Sequence, residues 1–489
     1  MEPKKLSRRE LLRYVGLAAS AGMLAACAPK VVEVEKIVKE TVVVEGTPQV
    51  VEKVVKETVQ VEKVVKETVV VGKAAPEAIT LEWWWGWGGG NLLDALAFRF
   101  QQEHPDIRVN PLPPGNMDEK LLTAIGGGTP PDVAVGNIAF GEMCARGVFT
   151  PLDDHFSASK VISRDDIVQS LWADGNWEGK QYGLAACEVG PRIGLCCNPA
   201  LVEAAGLDST KPPETWDELY AWHEAMSTFD SVGNIDILGF DPMDAMGGRR
   251  PTSDVSFFWA DSFGFDWWDQ DTWTFSVDNE GFVASIATIK RFYDLVGVEK
   301  MAAFRVDYGT WTSATGSFTT GKQGVQLNGY WTPGSLAQVA PDTKFAYYWP
   351  PNAEHRRGRK FQNMGGHPVV IPRGAPHLDE AFMYLEYLTT PVAADKIFQE
   401  NGWLGPRISW LEQLDTSVYE GLDFFLQSVL EADELKPCPL CPISAFFGQQ
   451  WIVAVDAVNY GDKTPEQAAA DLQETVTTEI RTQFPDRAG

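Results

Sequence analysis

Between residues 78 and 137 the spacing of apolar positions switches repeatedly between a period near two and one near 3.6, which predicts strands alternating with helices. "AITLEWWW" (78–85) has strand character, with Trp83, Trp85 and Trp87 alternating with Glu82, Trp84 and Gly86. "NLLDALAFRFQQE" (91–103) reads as a helix capped by Asn91, and "HPDIRVNPL" (104–112) as a turn into a second strand. "MDEKLLTAIGGG" (117–128) is a helix stopped by glycine, and "TPPDVAVGN" (129–137) leads into a short third strand. Strand, helix and strand in this order imply parallel crossovers in an α/β lobe, whose ligands lie beyond the carboxyl ends of the strands. Trp85, Trp87 and the run Gly88–Gly90 fall at that end.

The pattern continues beyond one lobe. "YGLAACEVGPRIGLCCNPALVEAAGL" (182–207) holds two apolar extended segments around Gly190-Pro191, followed by a helix. "GGHPVVIPRGAPHLDEAFMYLEYLTTP" (365–391) repeats the strand-to-helix sequence, and a helix from Pro465 to Thr482 closes the chain. Residues 31–73 differ in kind: "EKVVKETVQV" (52–61), "EKVVKETVVV" (62–71) and "EKIVKETVVV" (35–44) form a degenerate array. Its valines fit a helical stripe, yet valine is a weak helix former, so residues 28–78 are expected to be a stalk without an assigned conformation. Such a stalk would reach at most about 3.3 to 3.6 Å per residue.

The first 27 residues read as an address. Arg8 and Arg9 precede an apolar run from Val15 to Ala26, too short for a permanent membrane span. Leu24-Ala25-Ala26-Cys27 resembles a bacterial lipobox, which implies a lipidated Cys27, an extracytoplasmic location and a membrane tether made by lipid alone. Of the six later cysteines, Cys144, Cys187, Cys196, Cys197, Cys438 and Cys441, the last two form a Cys-x-x-Cys pair without the second ligand pair of a zinc ribbon or a thioredoxin-like context. A structural disulfide or buried thiols are the expected states, with pairing left open. The net charge of −26 disfavours nucleic acid and anionic lipid and favours neutral or cationic partners.

Several stretches, in order, resemble the family 1 extracellular solute-binding proteins of ABC importers. They include "FQQEHPDIRV" (100–109), "LLTAIGGGTPPDVAV" (121–135), "GVFTPLDD" (147–154), "CNPALVEAAGLDSTKPPETWDEL" (197–219), "FTTGKQGVQLNGYW" (318–331) and "GDKTPEQAAADLQ" (461–473). The resemblance implies a two-lobed α/β periplasmic-binding-protein-like fold with discontinuous lobes joined by crossing strands. Lobe 1 is expected at about 79–187 and 352–402, and lobe 2 at about 188–351 and 403–489. It implies capture of a solute between the lobes and delivery to membrane permease subunits, by a monomer without cofactor or metal. This chain departs from the family's frequent "YNP" by placing Cys197 before Asn198, and residues 230–275 match poorly.

A sugar site needs flat aromatic surfaces and hydrogen-bonding carboxylates or amides, and the chain has 18 tryptophans. Trp83 and Trp84 are expected in the core, and Trp85 and Trp87 in the cleft, with Gly88 clearing an approach to the backbone. The glycine run lacks the lysine and hydroxyl residue of a phosphate loop. Trp331, matching the family's strand end, is expected to stack on a sugar, with a core position as the competing reading. Asn137 is expected to bond a hydroxyl or cap a helix. Glu188 and Arg192 straddle the first crossing and either contact ligand or pair with each other. Trp259, Asp261, Trp403, Phe447 and Gln449 occupy places where the family touches solute. The expected ligand is a carbohydrate; a glycerol phosphate ester or other polar metabolite is the alternative, supported if Arg192 or Arg407 faces the cleft. A secreted glycoside hydrolase would need two carboxylates flanking one bond, and no catalytic signature appears, so no enzymatic activity is expected.

Overall fold

A computed structural model describes residues 31–44, 47–60, 78–86, 91–136, 138–243, 254–308 and 312–487. Cys27, Trp87, Gly88 and Asn137 lie outside the described residues. The chain divides into two units, Met1–Ala75 and Pro76–Gly489. In the first, Val31–Val44 and Thr47–Gln60 pair antiparallel in continuous register, from Val31 opposite Gln60 to Val44 opposite Thr47. The stalk, whose conformation the sequence left unassigned, thus contains an antiparallel strand pair and not a helix over these residues. Valine's branched β-carbon disfavours helix and suits a pleated strand, so local propensity outweighs the stripe.

The second unit holds two large sheets. The first is built from β1 (Ile79–Trp85), β2 (Ile107–Leu112), β3 (Val133–Val135), β4 (Gly183–Pro191), β9 (Phe361–Val370) and β10 (Glu434–Lys436). Its order is β10-β9-β3-β1-β2, with β4 also paired to β9. β1 runs parallel to both β2 and β3, and β9 runs antiparallel to β3 and β4. The second sheet contains β5 (Gly194–Cys197), β6 (Ile235–Phe240), β7 (Gln323–Asn328) and β8 (Ala346–Tyr348), in the order β6-β7-β5-β8, with the two-residue strand Thr228–Phe229 outside β6. Two details differ from the expected lobe limits. β4 stays paired to β9 as far as Pro191 opposite Met364, so the first crossing falls at Arg192 and Ile193 and not after residue 187. β10, expected with lobe 2, adds to the edge of the first sheet by parallel pairing with β9.

The helix Asn91–Glu103 forms because Leu92, Leu93, Leu96, Ala97 and Phe100 recur at three- and four-residue spacing and cover the first sheet. The helix Met117–Gly126 ends at a run of glycines, as the sequence predicts. The C-terminal helix Pro465–Gln483 starts from a capping box in which the Thr464 side chain accepts from the Gln467 backbone and the Gln467 side chain accepts from the Thr464 backbone. Among the described residues no helix is long and apolar enough to cross a membrane.

The face of β1 that carries Leu81, Trp83 and Trp85 is sealed, each at 0% exposure. Trp83 meets Trp85 and Tyr384 edge-on, each at 5.1 Å between centroids, and Trp85 stacks on Trp403 at 6.5 Å. The expected cleft position of Trp85 is therefore corrected to the core. Alternation forces the result: Trp85 shares a face with Leu81 and Trp83, and that face is buried. At about 150 to 250 Å² of burial each, the two indoles contribute on the order of 4 to 6 kcal/mol apiece as an upper bound.

Candidate functional site

A cavity of about 530 Å³ lies where segments packed on the first sheet face segments of the second lobe. From the first side come Arg164, Gln169, Trp172, Asp174 and Asn176; from the other come Asp261, Phe265, Trp267, Trp268 and Gln270; and Lys436 and Cys438 follow from the end of β10. Three indoles thus meet a set of carboxylates and amides. That is the pairing needed to cover the C–H faces of a polyol and bond its hydroxyls.

Local structure fixes each side. The short helix Gln169–Ala173 ends at Asp174 and Gly175, and a β-carbon at Gly175 would stand 2.0 Å from the Gly183 carbonyl oxygen. Only glycine lets this turn lie against β4. Asp174 is thereby brought against β9, where its Oδ2 accepts from the Gly366 N–H at 2.9 Å. Asp174 is 4% exposed, and its Oδ1 has no hydrogen-bond partner. Burial pushes its pKa up to about 7, against the lowering effects of the Gly366 bond and the Arg192 charge. On the opposite wall Trp267 is held flat against Phe447, with centroids 4.1 Å apart and planes 6° apart, and Trp268 packs on Phe275 at 4.8 Å. The indole N–H groups of Trp267 and Trp268 are buried without a protein partner.

The charges on the wall are largely consumed. Lys436 Nζ lies 3.2 Å from Asp261 and 2.9 Å from Asp266. Burial raises the Asp261 carboxyl to about 6 although Lys436 opposes it. Arg164 sits over the Trp172 ring at 4.9 Å and donates to the Ile167 carbonyl. Cys438 Sγ lies 3.3 Å from Asn363 Oδ1. A second cavity, of about 420 Å³, lies at the carboxyl end of β1 beside Gly86, Asn116 and Asp118. Burial lifts Asp118 to about 6, and its carboxylate accepts from the Ala139 N–H at 3.2 Å.

The residues singled out by sequence scatter. Asp261 lies on the cavity wall. Phe447, 1% exposed, lies behind Trp267 and not on the surface of the cavity, and Trp259, at 0%, is a core residue stacked on Trp216 at 4.1 Å. Both were expected at the ligand and are corrected to supporting positions; burial of large aromatic area outweighs exposure there. Trp331 begins the helix Trp331–Val339 at the end of β7, is buried with its ring folded over Gly329 and does not line the cavity, so its expected sugar-stacking position is corrected to the competing core position. Trp403 is partly buried against both hydrophobic cores. Gln449 is exposed on the helix Ser444–Asn459.

Glu188 lies 3.3 Å from His367, and burial, aided by the Arg192 charge, drives His367 down to about 3, so its imidazole is neutral. Arg192 is half-buried, its N–H donating to the Asn363 carbonyl at 2.7 Å. Arg407 bonds Asp166, Val161 and Thr389 as a structural clamp. Cys144, Cys187, Cys196, Cys197 and Cys441 are buried thiols and Cys438 is half-buried, so among the described residues the cysteines are not paired with one another as a disulfide. Sequence reasoning missed Trp172, Asp174, Trp267, Trp268 and Lys436. The signal for two of them, the aromatic cluster "FDWWDQDTWTF" (265–275), lies in the stretch that departs most from the family pattern.

The family profile described as "Bacterial extracellular solute-binding protein" matches residues 84–395, more than half of the chain. The chain belongs to this family. Solved structures share the two-lobed fold: CpMnBP1 with mannotriose bound (TM-score 0.72, 22% identity, 81% of this chain and 99% of that one) and the maltose/maltodextrin-binding domain MalE of Bdellovibrio bacteriovorus bound to maltotriose (0.66, 19%, 82% and 100%). Among curated proteins, the sn-glycerol-3-phosphate-binding periplasmic protein UgpB of Yersinia pestis bv. Antiqua (strain Antiqua) is 26% identical over 137 residues, 27% of this chain and 31% of the relative. UgpB of Escherichia coli (strain K12) is 27% identical over 154 residues, 30% and 35% of the two chains. The chain thus matches about a third of the length of these relatives.

Proposed function

We propose that this protein is an extracytoplasmic receptor, tethered through lipidated Cys27, that captures a carbohydrate in the cleft between its lobes and delivers it to an ABC permease without chemical change. Lobe 1 comprises about 79–191 and 352–402, and lobe 2 most of the remainder. The observation that carries the reading is the cavity wall itself, where Trp172, Trp267 and Trp268 stand beside Asp174, Asp261, Gln169 and Asn176. Indoles supply stacking planes, and the carboxylates and amides supply directional acceptors and donors. The sugars named with the structural neighbours agree with this chemistry.

A thermal-shift and calorimetry panel of mannotriose, maltotriose, monosaccharides and sugar alcohols tests it. At least one neutral member is expected to raise the melting temperature and to be recovered unchanged; a panel with no binder overturns the reading. A second reading, capture of a glycerol phosphate ester, is favoured by the UgpB relatives and by Arg192, whose charge acts on Asp174 at the edge of the cavity. Binding of sn-glycerol 3-phosphate in preference to every neutral solute would select it.

A further inference from the structure

Asp174 is the acidic group of the cavity that the fold leaves incompletely bonded. Its carboxyl is held by one backbone N–H, that of Gly366, while Oδ1 lies buried without a partner. The surrounding wall admits little else: a β-carbon at Gly365 would lie 3.1 Å from Asp174 Oδ2, 3.2 Å from Cys438 Sγ and 3.6 Å from Arg192 Cδ. Asp174 and Arg192 therefore flank the same glycine from two elements, and the positive charge of Arg192 is set against the Asp174 carboxylate before any ligand arrives. Lys436 is similarly engaged by Asp261 and Asp266, and Arg164 by the Trp172 ring.

We propose that Asp174 is the specificity-determining residue of the cleft: in its ionised form its Oδ1 takes a hydroxyl hydrogen of a neutral saccharide, and its charge, opposed to Arg192, rejects phosphorylated or otherwise anionic solutes. This inference rests on the carbohydrate reading given above. A buried carboxylate oxygen without a partner is costly until a donor reaches it, and a ligand hydroxyl is such a donor. A phosphate at the same position would place like charges in contact in a poorly solvated space. The indoles opposite tolerate many sugars, since stacking is not selective among C–H faces, so discrimination falls to the polar group.

The test compares the full chain with Asp174→Asn and Asp174→Ala at about pH 8, where the Asp174 carboxyl is ionised, using mannotriose and sn-glycerol 3-phosphate as probes in calorimetry. The wild type is expected to bind mannotriose and to bind the phosphate ester at least tenfold more weakly. Asp174→Asn keeps the shape and removes the negative charge, so mannotriose affinity falls at least tenfold while the ratio of phosphate-ester to mannotriose affinity rises at least tenfold. Asp174→Ala shows the same inversion. A residue that merely supported the wall would weaken both probes together. Unchanged mannotriose affinity in Asp174→Asn, or loss of both probes in equal proportion, overturns the proposal and leaves the carbohydrate reading standing. Failure of the wild type to bind mannotriose or any neutral solute of the panel overturns both.

Discussion

Replacing Asp174 by Asn should stabilise the unliganded protein, and by an amount that depends on pH in a defined window. Burial raises this carboxyl to about 7 from an ordinary value near 3.9. The native state therefore holds its proton more tightly than the unfolded chain, and stability contributed by this group is fullest at low pH and falls as pH rises from about 4 to about 7. Three pKa units at about 1.4 kcal/mol each put the cost of the native carboxylate near 4 kcal/mol above pH 7. Asparagine does not titrate, but its amide leaves one buried donor near Oδ1's position unpaired, at a cost of about 1 to 3 kcal/mol. The net gain at pH 8 is thus roughly 1 to 3 kcal/mol, and it should shrink by about 1.4 kcal/mol for each pH unit between 7 and 5, reversing in sign at the acid end. Urea unfolding of wild type and variant at pH 5, 6, 7 and 8 measures both quantities. A stability difference that stays constant across those four values would refute the reasoning, because it would show that the group is already ionised at no cost.

Three further outcomes are expected. Trp267→Ala and Trp259→Ala should each cost about 3 to 5 kcal/mol of stability by denaturant titration, since both rings are buried, but only Trp267→Ala should lower saccharide affinity of the folded fraction at least tenfold by calorimetry. Gly190→Ala should destabilise by more than about 1 kcal/mol and lower the melting temperature, since φ is +155° there and a β-carbon would stand 2.6 Å from the Tyr330 ring. In a secreted form with Cys27→Ser, a thiol reagent should label Cys438 first and reach the other five cysteines only on unfolding, which peptide mapping would read directly.

The first three strands were legible because they depend on nearest neighbours: alternation around Leu81 and Trp83, the turn at His104 and the glycines after Ile125 are local signals. The same rule, applied without exception, places Trp85 in the core; the expectation that a strand's carboxyl end faces ligand is a statement about loops, and Trp85 still belongs to the strand. Trp267, Trp268 and Asp174 were illegible for another reason. Their meeting depends on how the segment after the helix Asp254–Phe263 lies against a turn about ninety residues earlier, and no periodicity encodes that distance. Cys438 was read for sulfur chemistry, while its position is set by the addition of β10 to the edge of β9, which the sequence does not announce.

The first passage from one sheet to the other has a mechanical consequence. β4 ends at Pro191 and β5 begins at Gly194, so two residues, Arg192 and Ile193, make up the whole span. A tether this short has no slack, and both its ends are locked into hydrogen-bonded ladders. The lobes cannot slide past one another along it; torsion at a few bonds is the available freedom, and a pivot is the motion that results. A membrane partner docked across the two halves would then register a change of angle, with the arm of the lever, and not the hinge, travelling the distance.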